Sequence, residues 1–346
     1  MQDDLQFMNR QRFLQLLLGL TAATSSQFLK GCRQTFSPQD NPELQRELKF
    51  GILTTKSEEE LLPRWQPFLA DLTEALGIPV KPFFALQYSS LIEAMRSGVI
   101  QIAWFGGKTY IEAATVADAR AFALTVSDKG SRGYYAHLIA RGDRLWLQAA
   151  QGESPSSYLL EQGKDLTFAF NDVNSTSGYL VPMYYLFSQN GIDPLTHFQE
   201  VSFLGNHEAT ALAIAEQKID VATNNSEALQ RFANRYPEED KTIRIIWTSP
   251  FIPADPIAYD DKLPDDLKEK IRNFFYGYDD QAILQSLNWS GFDAATDADW
   301  HPIRELNIGK QILDIEQNES ITLEEKAGIV RGLREKLQEL QTTPNS

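Results

Sequence analysis

The stretch Leu48-Lys49-Phe50-Gly51-Ile52-Leu53, followed by Ser57-Glu58-Glu59-Glu60, sets the pattern for the rest of the chain. The first segment is a short apolar run that predicts a strand, and the second supplies a helix N-cap and an acidic first turn. The helix that follows is expected to end at Gly77, before Pro79. A strand leading directly into a capped amphipathic helix is the unit from which α/β folds are built.

The same alternation continues along the chain. Further strands are predicted at residues 80–85, 100–105, 136–140, 166–170, 201–204, 219–222 and 243–247, with helices between them. The remainder after the proline-rich stretch 250–256 is expected to be helical, most clearly over 321–340. The sequence therefore predicts an α/β protein, and its 346 residues are enough for about two domains.

Two segments of the chain parallel each other and indicate two similar lobes. Residues 94–103 and 213–222 each form a helix end that leads into a buried strand, and each strand opens into a polar loop. We expect one lobe to comprise residues 48–140 plus 251–346 and the other residues 141–250, with crossings near Ala140-Arg141 and Pro250-Phe251. Ligands of open α/β sheets bind outside the carboxyl ends of the strands, so a cleft between the lobes is the expected site.

Composition excludes several classes of partner. Apolar residues make up 42% of the chain and charged residues 23%, which excludes wholesale disorder. With a net charge of −15, the chain has no basic stripe for nucleic acid or for an anionic membrane surface. An anionic ligand would have to be held by local donors and helix ends.

The N-terminus has the order of an export signal. Arg10 and Arg12 precede an apolar run at 13–20 and small residues at 21–26, and the run is shorter than the ~20 residues of a membrane span. Cys32, the only cysteine, follows this segment, which predicts a signal peptide and lipoprotein box over 1–32 with Cys32 acylated. Lys30 is not the small residue preferred there, so an amphipathic tail with an incidental thiol is the alternative. Residues 33–47 are expected to form a tether. These features predict a periplasmic protein whose only contact with the membrane is a lipid anchor.

Three consecutive hydroxyl residues, Ser175, Thr176 and Ser177, lie between a predicted strand and a predicted helix, just before Gly178. The free backbone N–H groups and positive dipole of a helix start favour an anion. The alternative is an ordinary N-cap, which a single serine or threonine usually is.

Five further residues are candidates that each have a structural alternative. His207 follows another predicted strand, Glu227 is placed to complete a capping box, and Asp255 stands between two prolines in a turn. Tyr88 and Tyr134 are equally compatible with core aromatics that carry a polar handle.

From Phe50 onward the chain resembles the periplasmic phosphonate-binding proteins of ABC importers. The stretches that carry the resemblance, in order, are Phe50-Gly51-Ile52, Trp65-Gln66-Pro67-Phe68-Leu69, Ile102-Ala103-Trp104, Asn174-Ser175-Thr176-Ser177-Gly178 with Leu180-Val181-Pro182, His207-Glu208, Asp220-Val221-Ala222-Thr223-Asn224-Asn225, and Ile252-Pro253 with Asp255-Pro256-Ile257. The resemblance implies a two-lobed type II periplasmic-binding fold with the ligand cleft between the lobes. It also implies an ABC permease of the inner membrane as partner and no cofactor.

The resemblance further implies a role for each candidate residue. The phosphonate oxygens would be held by Ser175, Thr176, Ser177 and His207.

Glu227 and Asp255 would receive the ammonium of an aminoalkylphosphonate, and Tyr88 and Tyr134 would line the cleft. Three positions depart from the family pattern: Phe105, Tyr135 and Arg132.

The residue chemistry points the same way. A small anion taken from water needs several charge-assisted donors, whereas two carboxylates beside it are unfavourable unless a cation lies between them. Donors at one end and carboxylates at the other imply a zwitterion such as 2-aminoethylphosphonate. Phosphite, methylphosphonate and phosphate are the alternative ligands.

Two other functional classes fit less well. Ser177, His207 and Asp255 invite a catalytic-triad interpretation, but the chain has no Gly-x-Ser-x-Gly elbow. Four histidines and one cysteine, without a His-Glu-x-x-His or Cys-x-x-Cys motif, predict no metal site. The effector domain of a regulator shares this fold, but the chain shows no helix-turn-helix segment and carries an export signal.

Overall fold

A computed structural model of the chain describes residues 47–54, 58–150 and 154–342. The predicted signal peptide, Cys32 and all of the predicted tether except Glu47 lie outside these residues. Within the described part, no helix is both long enough and apolar enough to cross a bilayer.

The first sheet has six strands in the order β13-β4-β12-β3-β1-β2. Strands β1 and β2 are parallel, as are β1 and β3, whereas β12 is antiparallel to both β3 and β4, and β13 is antiparallel to β4. Its strands are β1 (Leu48–Leu53), β2 (Val80–Ala85), β3 (Ile102–Trp104), β4 (Ala119–Ser127), β12 (Pro256–Asp260) and β13 (Trp289–Ala294).

The second sheet has five strands in the order β10-β6-β9-β7-β8. Here β7 is parallel to β8 and β9, and β6 is antiparallel to β9 and β10. Its strands are β6 (Ala136–Arg141), β7 (Thr167–Phe170), β8 (Glu200–Phe203), β9 (Val221–Asn225) and β10 (Ile243–Thr248).

Two neighbouring chain segments connect the sheets. A short antiparallel pair, β5 (Gly133–Tyr134) and β11 (Ile252–Pro253), aligns them, with Ile252 opposite Tyr134. Ala136 and Ser249 are bonded twice, since Ala136 N donates to Ser249 Oγ at 2.9 Å and Ser249 N donates to Ala136 O at 3.0 Å. The two crossings therefore run side by side, which is the geometry of a hinge.

The helices flank both sheets. They are α1 (Glu58–Leu76), α2 (Tyr88–Arg96), α3 (Gly107–Val116), α4 (Leu145–Ala149), α5 (Pro155–Gln162), α6 (Pro194–His197), α7 (His207–Ala215), α8 (Ser226–Arg235), α9 (Pro237–Asp240), α10 (Asp265–Gly277), α11 (Gln281–Ser286), α12 (His301–Gln317) and α13 (Leu323–Thr342). Short 3₁₀ segments lie at Gly163–Asp165, Ser188–Asn190 and Asp297–Trp300, and π-helical turns at Thr176–Leu180 and Met183–Phe187.

Each sheet is buried on both faces, as the long apolar strand segments predict. On one face of the six-stranded sheet, Phe50 of β1 stacks with Phe275 of α10 at a ring-centroid distance of 6.4 Å and meets Phe68 of α1 edge-on at 6.3 Å. On the other face, a core cluster around Ala103 and Tyr110 also contains Leu180 of the π-helical turn. That cluster joins the two sheets on the side where the site lies.

Four expectations need correction. The chain after residue 256 is not wholly helical, because it contributes the antiparallel strands β12 and β13 to the first sheet. Strand β4, which lies between them, was not predicted either. The helix predicted to follow the hydroxyl residues 175–177 contains two π-helical turns, Thr176–Leu180 and Met183–Phe187. Since β6 pairs along Ala136–Arg141 with β9 and β10, the second sheet begins before the predicted crossing at Ala140. The division into lobes 48–140 plus 251–346 and 141–250 otherwise stays a prediction.

Candidate functional site

All eight predicted ligand-binding residues line one cavity of about 510 Å³ between the two sheets. They come from six separate parts of the chain: Tyr88, Tyr134, Ser175–Ser177, His207, Glu227 and Asp255. The carboxyl ends of β1, β3, β7 and β9 all open toward it, which is where α/β sheets place their ligands. Their roles stay predictions, but the fold brings them together.

The hydroxyl loop leaves β7 and enters the first π-helical turn. Ser175 caps that turn, because its Oγ accepts from Gly178 N at 3.0 Å, and Tyr88 OH donates to the same oxygen at 3.5 Å. Thr176 Oγ1 accepts from Lys108 N, in the first turn of α3, at 2.8 Å. Each of these hydroxyl oxygens therefore already accepts a bond from the chain, which fixes its position before a ligand arrives.

Several helix starts converge on this part of the cavity. The N-caps Gly106 of α3, Asn206 of α7 and Asn225 of α8 all line it, together with the start of the π-helical turn at Thr176. The positive ends of these helix dipoles favour negative charge in the cavity, and at α3 the backbone N–H of Gly107 already bonds the Asp255 carboxylate. The sequence analysis recognised only one of these helix starts as an anion site.

His207 forms a small network with Ser177 and Asn225. Its Nε2 lies 3.3 Å from Ser177 Oγ and 3.0 Å from Asn225 Nδ2, and Asn225 Nδ2 also donates to Ser177 Oγ at 3.1 Å. Burial, with a smaller contribution from the charge of Arg231, lowers the pKa of His207 to about 3. The imidazole is therefore neutral at physiological pH when no anion is bound.

Asp255 lines the cavity from the segment between β11 and β12. Its Oδ1 accepts from Tyr134 OH at 3.3 Å. The backbone of the neighbouring Ala254 forms two bonds of 3.0 Å each, since Trp300 Nε1 donates to Ala254 O and Ala254 N donates to Arg132 O. Burial, followed by the nearby charge of Glu227, raises the pKa of Asp255 to about 8.

Glu227 lies in the first turn of α8. Burial raises the pKa of its carboxyl, Arg231 opposes that shift, and Asp128 adds to it. The charge of Glu227 thus disfavours the charged form of Asp255. A cation placed beside the two carboxylates would oppose both upward shifts.

Arg231 is the functional candidate that the sequence analysis missed. It lines the cavity one helical turn after Glu227, with its Nη1 3.9 Å from the Glu227 Oε2. In the sequence it looks like an ordinary i,i+4 ion-pair partner on a helix, and only the packing of α8 shows that it faces the cavity.

An apolar wall completes the site on the side of the first sheet. Trp65, Trp104 and Trp289 line it, with ring-centroid distances of 5.5 Å between Trp65 and Trp289 and 5.2 Å between Trp104 and Trp289. Of the three departures from the family pattern, Phe105 lines the cavity and is fully buried, Arg132 pairs with Asp293 at 2.5 Å, and Tyr135 is 41% exposed.

The geometry does not form a catalytic triad. Ser177 does approach the His207 ring, but the Asp255 carboxylate accepts from Tyr134 instead of orienting the imidazole. The group that faces His207 Nδ1 is the neutral amide of Asn171.

Comparisons with known proteins identify the family of the chain. The family described as "ABC transporter, phosphonate, periplasmic substrate-binding protein" matches residues 50–300. The chain is 37% identical over 317 residues to the phosphonates-binding periplasmic protein of Escherichia coli K12, covering 90% of each.

Solved structures give the same fold. A binding protein component of an ABC phosphonate transporter from Pseudomonas aeruginosa aligns with a TM-score of 0.79 and 39% identity, covering 86% of this chain and 97% of that one. PhnD1 from Prochlorococcus marinus in complex with methylphosphonate aligns with a TM-score of 0.66 and 20% identity, covering 76% and 97% of the two chains. The predicted two-lobed type II periplasmic-binding fold is confirmed, and the relatives are substrate-binding transport proteins and not enzymes. The chain belongs to the family of periplasmic substrate-binding proteins of phosphonate ABC transporters.

Proposed function

We propose that this chain captures 2-aminoethylphosphonate, or a closely related aminoalkylphosphonate, outside the cytoplasm and delivers it to an ABC permease in the inner membrane. The observation that carries the proposal is the polarity of the cavity. Hydroxyls and helix N-termini, which suit an anion, line it together with two carboxylates with raised pKa values, Glu227 and Asp255, which suit a cation. In the proposed complex the first set of groups forms an anion end and the two carboxylates form an amine end.

At the anion end, Thr176 and Ser177 would donate their hydroxyl hydrogens to phosphonate oxygens. Their oxygens already accept from Lys108 N and Asn225 Nδ2, so both hydroxyls are held in place while the hydrogens are left to rotate. Bonds to a charged oxygen are shorter and stronger than neutral ones.

At the other end, an ammonium group between Glu227 and Asp255 would neutralise the unfavourable pair. Burying two carboxylates beside an anion is costly unless a cation is shared between them. Tyr134, whose hydroxyl already donates to Asp255, would hold that carboxylate in place.

Titration calorimetry of the purified chain with four ligands tests this proposal. We expect 2-aminoethylphosphonate to bind at least about 10-fold more tightly than methylphosphonate, phosphite and phosphate, because only it pairs both carboxylates. A chain that prefers methylphosphonate or phosphite would retain the anion site but not the proposed ligand.

The export and anchoring of the chain form a separate part of the proposal. Arg10, Arg12 and the apolar run at 13–20 support a cleaved signal, and the position of Cys32 supports acylation. In cells, the mature chain should fractionate with membranes and Cys32→Ser should move it to the periplasmic fraction. A wild-type chain found free in the periplasm would contradict the anchor.

A further inference from the structure

The His207 ring is held in one tautomer by the side-chain amide of Asn225, whose own orientation is fixed by the backbone. Asn225 Oδ1 accepts from Ala228 N at 2.7 Å as the N-cap of α8, so its other amide atom is the nitrogen, a donor. That nitrogen lies 3.0 Å from His207 Nε2. A neutral imidazole facing a donor must present a lone pair, so Nε2 is the unprotonated nitrogen.

The amide of Asn171 also contacts the His207 ring. One amide atom of this fully buried residue lies 2.9 Å from the His207 backbone N–H and the other lies 3.0 Å from the Thr223 carbonyl oxygen. Because these two backbone groups have fixed roles, the first atom is the oxygen and the second the nitrogen. The oxygen lies near both ring nitrogens, 2.8 Å from Nδ1 and 3.3 Å from Nε2, so the tautomer is assigned by Asn225, which leaves the hydrogen of the neutral ring on Nδ1.

The network therefore presents an acceptor where a charged phosphonate oxygen would need a donor. A dianion at Nε2 would bring two lone pairs together, whereas a monoanion carries a P–OH group that can donate. We propose that the cleft binds the phosphonate as its monoanion, with the P–OH group donating to neutral His207 Nε2. This inference rests on the proposed function. Nε2 has one lone pair, so the P–OH hydrogen would replace the Asn225 bond to it. Asn225 would keep its bond to Ser177 Oγ, and Ser177 would turn its hydrogen to a second phosphonate oxygen.

The charges around the ring agree with a neutral imidazole. Arg231 of α8 disfavours the imidazolium, and Glu208, the next residue of α7, is paired with Arg235 at 3.7 Å and with Tyr236 OH at 3.1 Å. The other titratable or charged groups that line the cavity are Arg64, Tyr88, Tyr134, Glu227 and Asp255. The two tyrosines keep their protons, since burial raises the pKa of each.

This assignment makes Asn225 a positioning residue that selects the protonation state of the ligand. It also predicts rejection of 2-aminoethylsulfonate, an isostere that has the ammonium group but no acidic proton. Two facing acceptors leave a buried polar group without a bond, which weakens binding by ~10- to 100-fold.

The direct test is ¹⁵N and ³¹P NMR of the chain saturated with 2-aminoethylphosphonate, with His207→Gln used to assign one of the four histidine signals. We expect a neutral ring protonated at Nδ1, both free and bound, and a bound phosphonate that stays monoanionic about one pH unit or more above its second pKa in solution. A bound imidazolium, a ring protonated at Nε2, or a dianionic bound phosphonate would each overturn the inference. A chain that no phosphonate saturates would overturn the proposed function as well, so the two failures are distinguishable.

Asn225→Asp reverses the hydrogen-bond polarity at Nε2 while keeping the oxygen that caps α8. It should convert the ring to the imidazolium and reduce the discrimination between phosphonate and sulfonate about 10-fold. The matched control, Asn206→Asp, adds the same charge at the N-cap of α7, where the amide oxygen accepts from Ala209 N at 2.8 Å. If both variants give the imidazolium, charge alone sets the ring state; if neither does, Asn225 does not position the ring. Either result would contradict the assigned role.

Discussion

The two ends of the cleft are built on opposite principles. At the anion end, the oxygens of Thr176 and Ser177 each accept a bond from the chain, and the His207 ring is neutral and bonded. At the amine end, Glu227 and Asp255 line the cavity and both have raised pKa values. Arg231 forms an ion pair with Glu227, with 3.9 Å between Nη1 and Oε2.

The difference separates affinity from selectivity. The hydroxyls of the anion end keep their hydrogen bonds to the chain with or without a ligand, so they are preorganised. They therefore suit any small phosphorus oxyanion. A pair of buried carboxylates with raised pKa values favours ligands that bring a cation and disfavours the others. We therefore expect changes at the anion end to affect all ligands alike and changes at the amine end to affect only amines.

The largest effect should come from Asp255→Asn. The substitution keeps the shape but removes the charge, and a lost charged hydrogen bond costs ~1.5–3 kcal/mol, up to roughly 100-fold in affinity. Calorimetry should show this loss for 2-aminoethylphosphonate and no loss for methylphosphonate. The exposed Asp143→Asn, which makes the same change in charge outside the cavity lining, should alter neither. Parallel losses for both ligands would mean that Asp255 shapes the cleft and does not recognise the amine.

Thr176→Ala and Ser177→Ala test the other end. Each should weaken 2-aminoethylphosphonate and methylphosphonate by a similar factor, about 10-fold or more, because each removes a donor to a charged oxygen. Thr115→Ala is the control, since that hydroxyl donates within α3, to Ile111 O at 2.8 Å. Unchanged titrations for both variants would remove the hydroxyl loop from the anion site.

Arg231→Gln should have a smaller and opposite effect. Removing the guanidinium frees Glu227 for the ammonium, so 2-aminoethylphosphonate should bind up to about 5-fold more tightly, in line with the ~0.2–1 kcal/mol of a partly exposed ion pair. Methylphosphonate should not gain. A weaker affinity for both ligands in the same titrations would instead place Arg231 on the phosphonate.

A separate effect concerns the stability of the chain without ligand. The pKa of Asp255 rises from 3.8 to about 8 on folding, so between those values the folded state holds the proton more tightly and this group's contribution to stability falls as pH rises. Asp255→Asn removes that penalty. Thermal unfolding without ligand should show the variant more stable than the wild type, with a gap that widens from pH 4 to pH 8. A gap that narrows over this range would contradict the raised pKa.

Much of the fold could be predicted because its signals are local. Caps, glycine stops and apolar runs placed β1, β2, β7 and β9, and the hydroxyl loop was identified as a helix start from three adjacent residues. Strands β4, β12 and β13 were missed because antiparallel insertion between distant segments leaves no local pattern.

The site shows the same division. The residue types and the family resemblance named eight side chains that line one cavity. The tautomer of His207 could not be predicted, because it depends on the Ala228 backbone N–H that fixes the amide of Asn225. Arg231 was missed because the sequence gives no sign of which face of α8 meets the cavity.

The proposed binding of an aminoalkylphosphonate depends most on recognition of a cation by the two carboxylates, Glu227 and Asp255. Calorimetry of wild type and Glu227→Gln with 2-aminoethylphosphonate and with methylphosphonate forms a double-difference cycle that isolates this coupling. We predict a loss of about 10-fold or more for 2-aminoethylphosphonate, with methylphosphonate bound equally or slightly more tightly because a repulsive charge has gone. Equal losses for both ligands would show that Glu227 is a structural residue of α8 and would contradict the recognition of an aminoalkylphosphonate.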